Sequence, residues 1–157
     1  VIYGEIVGYL SPDTTIMARH STDKLPELKK QYGDVITYSY GCEPGEFKLF
    51  VYRITQVNED GYAVELSWNQ VQQRCKQLGL KTVPQIMPVL FGPPDNIQDV
   101  CKEGPSCLDN RHVVEGVVLR YESPQGTGWL KYKTYSFGIM EGYLKDRDDY
   151  VDTEEAA

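Results

Sequence analysis

Most apolar residues of this 157-residue chain fall in short runs rich in Val, Ile, Tyr and Phe, each stopped by Pro, Gly, Asp or Asn. That punctuation predicts strands separated by turns. VIYGEIVGYL, residues 1–10, reads as a strand halted by Ser11-Pro12-Asp13. Residues 11–34 are a polar excursion with a short helix expected from Leu25 to Gln31. VITYSYG at 35–41 is extended, and Cys42-Glu43-Pro44-Gly45-Glu46 turns the chain into FKLFVYRITQV at 47–57. Asn58-Glu59-Asp60-Gly61 closes a hairpin onto YAVEL, because Asp-Gly is a favoured hairpin pair. The pattern is a meander of antiparallel strands.

Helical spacing is clearest between Ser67 and Gly79. Trp68, Val71, Cys75 and Leu78 recur at three and four residues, Ser67 is a suitable N-cap, and Gly79 is placed to end the helix. PQIMPVLFGPP supplies one more short strand, and a second helix is expected from Asp95 to Lys102 before the loop EGPSCLDN. HVVEGVVLRYE and GWLKYKT are strands joined by the turn ESPQGTG, with a closing helix from Phe137 to Lys145. Residues 1–145 form one α+β domain dominated by antiparallel β-sheets with flanking helices, and 146–157 an acidic tail.

Charge first argues against nucleic acid, because phosphate binding is driven by Lys and Arg. The net charge is -7, but residues 141–157 carry -5 of it, so residues 1–140 hold only -2 and leave room for a local basic groove. No apolar run approaches the roughly 20 residues of a membrane span. The four cysteines, Cys42, Cys75, Cys101 and Cys107, contain no CxxC pair and accompany only two histidines, so structural or free thiols are expected rather than zinc. An intracellular, cytoplasmic setting follows. His20 and His112 are expected to be structural or surface residues.

Chemistry concentrates in EGVVLRYESPQGTGWLKYK, residues 115–133. In a strand Lys131 and Lys133 leave the same face about 6.5–7 Å apart, a spacing suited to two phosphates. Two such cations repel, and an anion between them relieves the repulsion. Glu115 lies among Val113, Val114, Val117 and Val118, where an ionised carboxylate calls for a cation, metal or hydroxyl opposite it. Gly116 would let a ligand or another backbone approach closely. The bland alternatives stay open: a solvent-facing carboxylate for Glu5 or Glu115, a core ring for Tyr52, and edge-strand protection for the two lysines. Trp129, Tyr135 and Phe137 are core aromatics or a stacking platform, core being favoured, and Arg111 and Arg120 are candidates for RNA phosphates.

Taken in order, GEI, FVYRI, EGVVLR and LKYK resemble motifs III, IIIa, IV and V of the covalent nucleotidyltransferases, a superfamily that contains polynucleotide ligases and mRNA capping enzymes. The intervening ELSWNQVQQRCKQLGL and EGPSCLDNRHVVEGVVLR are most similar to the ATP-dependent RNA ligase branch, and the resemblance covers nearly the whole chain. It implies an ATP-grasp-like ligase catalytic fold with a nucleotide pocket between two antiparallel sheets. It also implies ATP and Mg²⁺ or Mn²⁺ as cofactors, RNA ends or a nicked duplex as partner, and no membrane. By the same resemblance Glu5 contacts ribose hydroxyls, Tyr52 stacks on adenine, Glu115 holds the metal, and Lys131 and Lys133 grip the phosphates.

The chemistry implied is phosphoryl transfer through lysyl-AMP and RNA-adenylate, ending in attack by a 3'-hydroxyl. Two departures stand out. Arg53 occupies a position where the family often has Asp, and no KxDG or KxxG nucleophile motif precedes GEI. The sequence therefore reads as the C-terminal part of a ligase domain, truncated at its N-terminus and unable to adenylylate itself. The rival readings are a decayed or split nucleotide- or RNA-binding module, and a fragment of a DNA ligase or capping enzyme.

Overall fold

The computed structural model describes residues 1–86, 100–142 and 144. The first sheet is built on two long strands, β1 (Ile2–Ser11) and β5 (Phe47–Val57), paired antiparallel. Between them come β2 (Thr14–Thr15), β3 (His20–Ser21), helix α1 (Pro26–Tyr32) and β4 (Val35–Ile36). β6 (Ala63–Glu65), helix α2 (Trp68–Leu78) and β7 (Lys81–Thr82) follow β5. The sheet runs β2-β1-β5-β6, with β7 lying parallel against β5. That parallel strand departs from the expected meander, because α2 carries the chain back over the sheet before β7 joins it. β3 and β4 form a small separate pair.

The second sheet is the hairpin of β8 (Gly116–Ser123) and β9 (Gly126–Lys133), and α3 (Tyr135–Glu141) follows it. The hairpin is tighter than the expected ESPQGTG turn: only Pro124 and Gln125 lie outside the strands. α3 starts two residues before the predicted Phe137 and stops at Glu141, where Gly142 takes a left-handed conformation that satisfies the last carbonyls. The extended reading of 35–41 shortens to Val35–Ile36, because the chain then enters a tight turn at Ser39–Cys42. The strand expected in PQIMPVLFGPP and the helix expected at Asp95–Lys102 fall largely outside the described residues, as does the acidic tail; Pro84–Ile86 are not strand.

α2 forms as its sequence dictates. Ser67 accepts from Gln70 N while the Gln70 side chain returns to Ser67 N, a reciprocal capping box, and Gly79 closes the other end. Val71 and Cys75 are buried on Val51, Ile54 and Leu66, with Trp68 and Leu80 at the margin. Leu78, read as part of the same stripe, is exposed, and Leu80 takes its place. A second cluster joins Ile36, Tyr38, Val113 and Phe137, and a third joins Val7, Cys42 and Phe50. All four cysteines are free thiols. Among the described residues no helix is long and apolar enough to cross a membrane.

Candidate functional site

β8 and β9 pair so that Gly116, Val118 and Arg120 stand opposite Lys133, Lys131 and Trp129. The resulting face looks onto the first sheet, since Arg120 reaches Leu66 O at 2.6 Å and Trp129 packs edge-on against Tyr52 at 6.5 Å. Gly116 does allow a close approach, and what approaches is backbone: a Cβ there would lie 2.0 Å from Tyr132 O.

Between the sheets lies a cleft of about 430 Å³. Glu5 of β1 enters it from one side, and Glu115, Lys131 and Lys133 from the other, so residues from opposite ends of the chain meet there. Tyr40, Met17, Phe137 and Glu141 complete the polar and apolar walls. Thr134 anchors the approach to β8: its amide donates to Glu115 O at 2.8 Å and its hydroxyl to Val114 O at 2.8 Å.

The cleft brings acids and lysines within electrostatic reach of one another. Burial lifts the Glu115 carboxyl to about 7, the negative charge of Glu5 adds to that lift, and Lys131 and Lys133 draw it back. The Tyr40 hydroxyl donates to Glu115 Oε1. Lys133 pairs with Glu141 at 2.9 Å and lies over the Phe137 ring at 4.9 Å. Lys131 is exposed and makes no ion pair among the described residues.

Such a cleft suits an anion on the lysine side and a cation on the carboxylate side. Among the described residues no three His, Cys, Asp or Glu gather as a metal cluster. The acids lining the cleft are Glu5, Glu115 and Glu141, the last paired with Lys133, and a Mg²⁺-type ion needs only one or two carboxylates, completed by water and phosphate oxygens.

Tyr52 stands apart from these residues. A bulge moves the β1–β5 register from Gly4↔Val51 to Tyr3↔Arg53, leaving Tyr52 as the extra residue, half-buried against Trp129 and outside the lining of the cleft. Arg53 turns to Glu65 at 3.0 Å and covers the Tyr3 ring at 4.8 Å. Arg120 is corrected as a candidate for RNA phosphates: its side chain is 10% exposed and bound to Glu65, Glu122 and Leu66 O. Arg111 is more exposed and leans on Asp109. Phe137 is core as expected, and His112 is buried between the Tyr38 and Tyr40 rings, where burial lowers its pKa.

Sequence reasoning missed Tyr40, Thr134 and Glu141. Only Glu141 carried a readable signal, being one helical turn beyond Phe137 on the same face of α3.

In this α+β domain the two facing sheets bring two acids of β1 and the β8 approach and two lysines of β9 into one cleft. The chain is a member of the RNA ligase family, whose model matches residues 1–133. No curated protein and no solved structure matches the chain.

Proposed function

We propose that this chain supplies the carboxylate and phosphate-gripping side of an ATP-dependent RNA ligase with the nucleotidyltransferase fold of the polynucleotide ligases. The observation that carries the reading is the meeting of Glu5, Glu115, Lys131 and Lys133 in one cleft between two sheets. In this reading Lys131 and Lys133 neutralise the negative charge that develops on the α-phosphate during transfer, Glu115 holds Mg²⁺ or Mn²⁺, and Glu5 accepts from the ribose hydroxyls. Stacking of adenine on Tyr52 requires the Tyr52–Trp129 contact to open.

Among the described residues the cleft holds no lysine besides Lys131 and Lys133, so in this reading the 157-residue chain binds nucleotide without forming a covalent adduct. Incubation with radiolabelled ATP and Mg²⁺ tests both halves of the statement. Saturable binding that falls at least tenfold in Lys131→Ala, with no label retained after denaturation, is the expected result. A covalent AMP adduct overturns the missing nucleophile, and binding indifferent to Lys131→Ala overturns the site. A preference for nicked RNA over nicked DNA in competition for the ATP-loaded protein separates the RNA ligase reading from that of a DNA ligase.

A further inference from the structure

Ser39–Cys42 is a tight turn in which Cys42 N donates to Ser39 O at 3.0 Å. Its central residues, Tyr40 and Gly41, have φ of 51° and 71°, the signs of a type I′ turn. That turn favours Gly, Asn or Asp at both positions, because a larger side chain at positive φ crowds its own backbone. Tyr40 is the only non-glycine among the described residues held at positive φ. A bulky residue in such a conformation persists only where its surroundings enforce it, and such strain gathers at functional sites.

The enforcing group is Asp109, whose side chain is 4% exposed. Its Oδ2 accepts from Ser39 Oγ at 2.8 Å and from Gly41 N at 3.0 Å. Its Oδ1 accepts from Arg111 N at 3.0 Å and Arg111 Nε at 2.9 Å. Lys48 donates to the Gly41 carbonyl from the other side. One buried carboxylate thus grips both flanks of Tyr40 across about 70 residues of sequence. The ring is seated 5.0 Å from His112, and its hydroxyl ends on Glu115 Oε1.

We infer that Asp109 is a positioning residue for the cleft: by holding the Ser39–Cys42 turn it sets the Tyr40 hydroxyl on Glu115 and fixes that carboxylate in one orientation for a divalent cation. The inference rests on the reading of Glu115 as the carboxylate beside the cation. A hydrogen-bond donor that orients a ligating carboxylate acts on affinity although it never touches the ion.

The test uses Mn²⁺ as probe on the ¹⁵N-labelled 157-residue chain, reading the Mn²⁺ concentration that half-broadens the Gly116 amide signal. Tyr40→Phe is expected to raise that concentration about tenfold, with the remaining amide spectrum unchanged. Asp109→Asn is expected to raise it severalfold in the wild-type background and less than about twofold on top of Tyr40→Phe; Ser39→Ala serves the same cycle if Asp109→Asn does not fold. Effects that multiply fully in the double variant, or a Tyr40→Phe protein that binds Mn²⁺ as the wild type does, overturn the inference. Glu115→Gln separates the two levels. If it weakens Mn²⁺ while Tyr40→Phe does not, the positioning role alone fails; if Glu115→Gln has no effect, the cation reading fails and the positioning role with it.

Discussion

Two sets of four charged residues, each with two acids and two bases, stand where the β8–β9 hairpin meets the first sheet, and they are wired in opposite ways. In one, Arg53, Glu65, Arg120 and Glu122 alternate in sign, with separations of 3.0, 3.6 and 2.8 Å along the series. Glu122 also accepts from Trp68 N at the start of α2, and Arg120 lies over Trp129 at 4.8 Å. In the other, Glu5, Glu115, Lys131 and Lys133 form no ion pair with one another and line open volume, with Lys133 held by Glu141 at 2.9 Å. The first set pairs each charge with an opposite one, although Glu65 Oε1 and Arg120 Nη1 stay without a hydrogen-bond partner, and it ties hairpin, helix and sheet together. The second surrounds open volume, where burial raises the Glu115 carboxyl and the negative charge of Glu5 adds to the lift. Charge content does not separate the two sets; direct pairing in the first and open volume in the second do.

The sharpest way to break the comparison is to cut the alternating set. Arg120→Ala leaves Glu65 with Arg53 as its remaining cation and strips Leu66 O and Glu122 of a donor, and a loss of about 2–3 kcal/mol is expected by urea unfolding. A loss below about 1 kcal/mol would reduce the set to surface decoration. Gly116→Ala comes next, because the added methyl meets Tyr132 O at 2.0 Å and the β8–β9 ladder must shift; about 1–3 kcal/mol is expected by the same measurement. An unchanged midpoint would mean that the hairpin has slack at its root.

The comparison also explains what was readable in the sequence. α2 was legible because its cap, its stripe and its stop lie within thirteen residues, Ser67 to Gly79. β1, β5 and the hairpin turns were legible for the same reason, since alternation and turn chemistry are local. Glu5, Glu115, Lys131 and Lys133 were readable as candidates through the strand-face argument and the order of motifs. Tyr40 was not, because nothing in SYGCE indicates that a tyrosine accepts a left-handed backbone, and its partner Asp109 lies about 70 residues on. Arg120 looked like a free cation for the same reason: Glu65 and Leu66, which occupy it, come from a different sheet. Tyr52 was displaced from the cleft lining by a bulge that no local pattern announces.

Asp109 gives a smaller, pH-dependent effect. Burial alone would push its carboxyl up, but hydrogen bonds from Arg111, Ser39 and the amides of Arg111 and Gly41 hold it well below the usual carboxylate range. Its folded pKa is depressed, so the unfolded chain binds the proton more readily. The stabilisation is therefore present above the unfolded value of 3.8 and is lost as pH falls through the folded one. Asp109→Asn should cost about 1–3 kcal/mol at pH 7 and flatten the acid limb of the stability curve below pH 4. An equally steep limb in the variant would assign acid sensitivity to other carboxylates.

Lys131→Ala should have the smallest effect on stability and the clearest meaning. Lys131 is exposed and makes no ion pair among the described residues, so its removal is expected to change the unfolding free energy by no more than about 0.5 kcal/mol. Removing Lys131 should even ease its repulsion from Lys133. Binding of inorganic pyrophosphate, followed by calorimetry, should nevertheless fall about tenfold, because one of two adjacent cations at the anion is gone. The opposite pattern, lost stability with unchanged pyrophosphate affinity, would place Lys131 with Arg120 among the structural charges. It would also show that open volume among charged residues does not by itself mark a site.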